Sequence, residues 1–177
     1  MRARIRMLPP LAAAALAAAA FASVGVESID EFHRVSASVA TGGQPTPAQV
    51  TALADAGFNA IVNLREDAEA NDGPQFRAAR EAGIRFVRVP VSMTSPTDAS
   101  VAKFLAVTDE RELYPVYVYC AEGNRAAAYW MIRRVLRDHW TLEKAEAEAK
   151  SAGLTKPETL EFVRGYIQRH SRSGGAS

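Results

Sequence analysis

Apolar positions along the chain switch repeatedly between a period near two and a period near three and a half, the signature of strands alternating with helices. Val35 and Val39-Ala40-Thr41 are short β-like pieces that end at Gly42-Gly43. Thr46-Pro47-Ala48-Gln49 then reads as a helix start, with Thr46 as N-cap, Pro47 at the first helical position and Gln49 reaching back. Val50, Leu53 and Ala54 share one face of that helix, and Gly57 stops it. Residues 59–64 form a short buried strand, in which Ile61, Val62 and Leu64 supply the apolar run. The stretch 67–73 is polar and predicts a loop, followed by a helix over 74–82 that ends at Gly83. Residues 84–91 alternate and are β-branched, so a strand is expected there.

Further along, Ser95-Pro96-Thr97-Asp98 repeats the capping pattern and opens a helix carrying Val101, Phe104, Leu105 and Val107. Pro115-Val116-Tyr117-Val118-Tyr119 is the next strand, with proline first, where a missing N–H is tolerated. Helices are expected over 125–137, 141–152 and 157–170, with a frayed, disordered tail at 171–177. Strands separated by helical segments imply a single α/β domain over 23–170, built on a mostly parallel sheet flanked by helices.

The first 22 residues read differently. Arg2, Arg4 and Arg6 precede a short, alanine-rich apolar run that ends in Ala20-Phe21-Ala22. A positive start, a short apolar core and a small-x-small ending predict a cleaved signal peptide over 1–22, hence a periplasmic or secreted protein. Pro9-Pro10 and the short uninterrupted run argue against a retained span of roughly 20 residues. Losing those three arginines would take the formal charge from +1 to −2, so neither a nucleic-acid partner nor, after signal cleavage, a membrane surface is expected. Cys120 is the only cysteine, which excludes an internal disulfide and leaves one thiol that an external thiol reductant would have to keep reduced.

Cys120 follows the Val116–Tyr119 strand directly, and ligands of open α/β sheets bind at the carboxyl ends of strands. The segment Cys120-Ala121-Glu122-Gly123-Asn124-Arg125 joins that strand to a helix. Gly123 permits a tight turn, and the amides of such a turn together with a helix N-terminus form an anion cradle. Arg125 adds a planar fork suited to two oxygens of a phosphate-like group, and positive potential there favours the thiolate of Cys120. Ala121, Glu122, Gly123, Asn124 and Arg125 are thus the expected anion-binding loop, with the Glu122 carboxylate pointing outward so as not to oppose the ligand.

The chain resembles the bacterial protein-tyrosine-phosphatase-like domains, including the small domain attached to beta-lactamase-like hydrolases. Four blocks carry the resemblance: Gly42-Gly43-Gln44-Pro45, Ile61-Val62-Asn63-Leu64-Arg65, Val89-Pro90-Val91 and Tyr119-Cys120-Ala121-Glu122-Gly123-Asn124-Arg125. The resemblance implies a cysteine-phosphatase fold in which Cys120 attacks a phosphate monoester and Arg125 clamps it. The substrate would be a small anionic molecule or a phosphoprotein.

Three positions depart from the family pattern. Four residues, not five, separate Cys120 from Arg125, a spacing that looks like the loop of rhodanese-type sulfurtransferases, whose cysteine carries a persulfide. Tyr119 stands where a histidine usually precedes the cysteine, and Ala126 replaces the hydroxyl residue that commonly follows the arginine. A sulfurtransferase and a non-catalytic anion-binding module therefore remain as alternatives to a phosphatase.

A phosphatase also needs a proton donor for the leaving oxygen. Asp98 is the nearest analogue in chain order, although its place in a capping sequence offers a structural explanation; Asp67 and Asp72 are the other candidates. Arg65, at the end of a strand on the same sheet edge as Cys120, is either a second anion contact or a surface partner of Glu66 or Asp67. Asn63 reads as a hydrogen-bonding residue of the strand interior, and at least one of Tyr129 and Trp130 as core. His33, His139 and His170 lack metal-site spacing, so no metal and no cofactor is expected.

Overall fold

The computed structural model describes residues 24–69, 71–92 and 97–173. The signal-peptide reading and the Ser95-Pro96 part of the expected capping segment lie outside these residues. Five strands, β1 (His33–Ser36), β2 (Val39–Gly42), β3 (Ala60–Asn63), β4 (Arg85–Arg88) and β5 (Val116–Tyr119), form one sheet in the order β1-β2-β5-β3-β4. The helices are α1 (Pro47–Asp55), α2 (Gly73–Ala82), α3 (Asp98–Asp109), α4 (Asn124–Leu136), α5 (Leu142–Ser151) and α6 (Pro157–Ser173).

β2, β5, β3 and β4 run parallel, whereas β1 pairs antiparallel with β2. Only residues 37 and 38 join β1 to β2, too few for the crossover that a parallel pair needs. Each parallel connection instead contains at least one helix.

Side-chain alternation on the central strands divides the core into two layers. Val62, Val116, Val118 and Cys120 face a layer made with α3, α4, α5 and α6. Ile61, Tyr117 and Tyr119 face the other, with α1 and α2. Tyr129 and Trp130 are both buried, in the first layer, and Phe104 meets each of them edge-on at centroid distances of 5.4 and 6.5 Å.

The helix starts follow their sequences, with one correction. Thr46 and Gln49 form the expected capping box at α1. At α3 the cap is Thr97, paired with Ser100; Asp98 is the first helical residue and does not cap. A threonine side chain already accepts the Ser100 N–H, so the Asp98 carboxylate is left to turn outward. α6 continues through Ser173, past the expected end at residue 170, since residues 171–173 include no glycine or proline to end it.

Candidate active site

β5 delivers Cys120 to the carboxyl edge of the sheet, where its side chain is 2% exposed. The chain beyond β2 runs alongside the loop that follows. The Cys120 N–H donates to the Gly42 carbonyl at 3.3 Å, and the Gln44 N–H donates to the Ala121 carbonyl at 3.3 Å. Gly43 and Glu122 form an isolated antiparallel bridge. Gly42 is required there, since a Cβ would lie 2.5 Å from the Tyr117 hydroxyl oxygen and 2.8 Å from the Glu31 carbonyl oxygen. The Tyr117 hydroxyl itself donates to the Gly43 carbonyl at 2.7 Å.

Gly123 has φ +82°, the left-handed conformation that glycine adopts at little cost, and it is the N-cap of α4. The turn it makes sends α4 straight into the core, so the leading N–H groups of the helix, which have no preceding turn to bond, gather at the loop.

Arg125, in the first turn of α4, is 8% exposed, and its donors can be accounted for. Nη1 donates to Glu69 Oε2 at 2.6 Å and to the Val91 carbonyl at 3.0 Å; Nη2 donates to Glu69 Oε1 at 2.6 Å. A guanidinium has five N–H donors, so Glu69 and Val91 leave the Nε–H and one Nη2–H, on a side chain that Cys120 also hydrogen-bonds. These two are parallel and form the second edge of the fork, which suits two oxygens of an anion. Burial works against the guanidinium charge, but the Glu69 carboxylate and Cys120 outweigh it and hold the Arg125 pKa above its ordinary value. The Arg125 hydrogen bond correspondingly lowers the pKa of Glu69.

A cavity of about 350 Å³ opens over this arrangement, lined by Cys120, Ala121, Glu122, Asn124 and Arg125 of the loop, Glu66 and Glu69 of the β3–α2 connection, and Lys156, Glu158 and Thr159 at the start of α6. A larger cavity of about 470 Å³ lies at the other end of the strands, beside Ser38, Tyr114, Trp130 and Arg133, away from Cys120.

The four blocks that carried the resemblance meet at one edge of the sheet. The Leu64 N–H donates to the Tyr119 carbonyl at 2.8 Å, the Val91 N–H to the Leu64 carbonyl at 3.2 Å, and the Val91 carbonyl receives Arg125. Residues 14–165 match the family described as DSP-PTPase phosphatase fused to NAD+ kinase. The chain belongs to that family.

A beta-lactamase hydrolase-like protein of Xylella fastidiosa (strain Temecula1) is 32% identical over 149 residues, covering 80% of this chain and 33% of that protein. The chain thus spans about a third of that relative's length. A DUF442 protein of Shewanella putrefaciens superposes with a TM-score of 0.69 at 19% identity, over 82% of this chain and 95% of its own. The core catalytic domain of the PP-IP phosphatase SIW14 from S. cerevisiae, solved with citrate, gives 0.66 at 16% identity, over 82% and 93%. The fold is that of the cysteine phosphatases, and the chain is a phosphatase-superfamily protein.

Within this phosphatase fold the other expected site residues are distributed unevenly. Glu122 points outward, 3.1 Å from Lys156 Nζ. Asn63 is a hydrogen-bonding residue of the strand interior: Nδ2 donates to Asp72 Oδ2 at 2.8 Å, and Oδ1 accepts the Arg65 N–H at 2.9 Å. Arg65 does not line the Cys120 cavity; its Nη2 donates to the Glu69 carbonyl oxygen. Asp67 and Asp72 both pair with Arg88, each at 2.9 Å. Asp98 is away from the cavity, with its exposed carboxylate 3.5 Å from His170 Nε2.

Tyr119, in the family's histidine position, faces the α1–α2 layer and stacks on Tyr117 at 6.1 Å. Burial, and secondarily the charge of Asp72, push its phenol pKa upward, so it stays neutral. Among the described residues no group of three or more His, Cys, Asp or Glu side chains could hold a metal ion. Glu69, the partner of Arg125, was not singled out by the sequence. Its only signal is a place in the polar loop after Arg65, on the same edge as Cys120.

Proposed function

We propose that this protein is an exported, cysteine-dependent phosphatase that hydrolyses a phosphate monoester through a phosphocysteine intermediate. The observation that carries this reading is the Arg125 fork, held by Glu69 on one edge, with its second edge free of Glu69 and the thiol of Cys120 as a further partner. The Cys120 sulfur attacks phosphorus, an S–P bond forms and the ester P–O bond breaks, releasing the alcohol. Water then attacks phosphorus, the S–P bond breaks, and the electron pair returns to sulfur as inorganic phosphate leaves. The second N–H pair of Arg125 and the loop amides bind the non-bridging oxygens through both steps.

The leaving oxygen takes its proton from Glu66 in this scheme. Glu66 lines the cavity and stands 4.0 Å from Arg125 Nη1, whereas Asp98 faces His170.

p-Nitrophenyl phosphate hydrolysis by wild type and Cys120→Ser is the direct test. The expected loss is roughly a thousandfold or more; turnover that survives the substitution would falsify the mechanism. Replacing Glu66 with Gln should slow an alkyl phosphate by roughly a hundredfold or more and p-nitrophenyl phosphate far less, because nitrophenolate leaves without a proton. If Asp98→Asn produces that pattern instead, the donor role belongs to Asp98. Export is tested by whether expressed full-length chain is recovered outside the cytoplasm with residues 1–22 removed.

The four-residue spacing between Cys120 and Arg125 favours one second reading, sulfur transfer through a Cys120 persulfide. Cys120-dependent transfer of sulfur from thiosulfate to cyanide, with no phosphate release, would establish it in place of the first.

A further inference from the structure

We propose that the site selects a phosphate monoester carried on a cationic chain: a phosphopeptide with lysine or arginine beside the phosphorylated residue. This rests on the phosphatase reading above and adds the substrate class.

The inference comes from the charges around the loop. A second cavity, of about 330 Å³, adjoins the first and shares Ala121, Glu122, Asn124 and Lys156 with it. Two cations line the pair of cavities among the described residues, and both are engaged: Arg125 with Glu69 and Lys156 with Glu122. Glu158 on one side and Asp30 on the other are left over, both exposed; Glu31, also exposed, meets His33 Nε2 at 3.3 Å. A phosphate approaching Cys120 on an anionic scaffold meets this surplus at close range. A scaffold carrying cations is attracted by it, while its phosphate is held by the second edge of Arg125.

Asn124 adds an independent observation. It is 6% exposed and lines both cavities. Its Nδ2 donates to the Gly153 carbonyl and to Thr155 Oγ1, and its Oδ1 has no donor among the described residues. That oxygen is buried as the side chain stands, so a substrate ammonium or guanidinium becomes its partner only as the Asn124 amide turns toward the cavity.

The experiment compares two phosphotyrosine peptides of equal length, one flanked by lysines and one by glutamates. Dissociation constants are measured on Cys120→Ser protein at low and high salt, alongside kcat/KM on wild type. The lysine peptide should bind roughly tenfold tighter at low salt, and its advantage should shrink as salt screens the rim. The double variant Asp30→Lys with Glu158→Lys should reduce or invert that preference. Equal affinity, tighter binding of the glutamate peptide, or no binding of either overturns the inference. A lysine preference in binding without wild-type turnover would overturn the hydrolytic reading and leave the charge selection standing; turnover without preference would do the reverse.

Discussion

Glu69 and Arg125 are 56 residues apart in sequence, and their contact has a predictable pH dependence. The hydrogen bond from Arg125 lowers the Glu69 pKa below its ordinary 4.5. A carboxylate with a lowered folded-state pKa contributes stability that is present above the unfolded value and lost as pH falls through the folded one. Thermal unfolding of Glu69→Gln should therefore show a deficit against wild type that is constant above about pH 5 and shrinks toward pH 3. Glu69 is about one-third exposed, so the deficit should be no more than about 1 kcal/mol. The effect on function should be larger, because a guanidinium freed on one edge no longer holds the other edge toward the ligand: KM should rise several-fold more than kcat falls. A constant deficit down to pH 3, or an unchanged KM, would show that Glu69 does not fix Arg125. Cys120, Gly123 and Arg125 could be read from local order alone, since strand, turn and helix are adjacent in sequence. Glu69 could not, because one glutamate in a polar loop carries no local pattern naming its partner.

At the level of the elements, most of what positions the loop was written into short stretches. Thr46-Pro47-Ala48-Gln49 contains its own capping box, and the Pro115–Tyr119 run contains its own strand. Asp98 was harder to read, because Thr97 and Asp98 are both plausible caps in sequence and only backbone geometry decides between them. The antiparallel β1 follows from the two-residue turn, whereas the sheet order, with β5 between β2 and β3, is fixed by contacts distant in sequence. The strand–loop–helix unit has its own prediction. Gly123→Ala places a Cβ on a left-handed residue, 3.1 Å from the Glu31 Cβ. Stability should fall by about 1–2 kcal/mol from backbone conformation alone. Turnover should fall as well, because relaxing φ swings the first N–H groups of α4 out of the cradle. Denaturant unfolding and p-nitrophenyl phosphate kinetics on one preparation check both. Full activity with lowered stability would mean that the left-handed turn serves the fold and not the site.

For the whole molecule, the question is whether the two core layers behave as one body. They lie on opposite faces of one sheet, and the strands alternate residue by residue between them: Val118 belongs to one layer, Tyr117 and Tyr119 to the other. Losing either layer would expose one face of β3 and β5 to water and weaken the backbone ladder that the other layer also depends on. Phe104 and Leu53, each fully buried and one in each layer, make the test symmetrical. Phe104→Ala should cost about 3–5 kcal/mol and Leu53→Ala about 2–5 kcal/mol. A chain of this size loses about 2–4 °C of Tm per kcal/mol, so each variant should unfold roughly 4–20 °C lower. If the sheet couples the layers, both variants keep a single transition, followed identically by far-UV ellipticity and by fluorescence of Trp130 and Trp140. Both tryptophans pack with the α3–α6 layer, so fluorescence reports that layer alone. An early ellipticity change in Leu53→Ala with no matching fluorescence change would show that the α1–α2 layer opens independently. Coincident transitions would tie the Cys120 loop, which hangs from β5 at the junction of the two layers, to the stability of the entire domain.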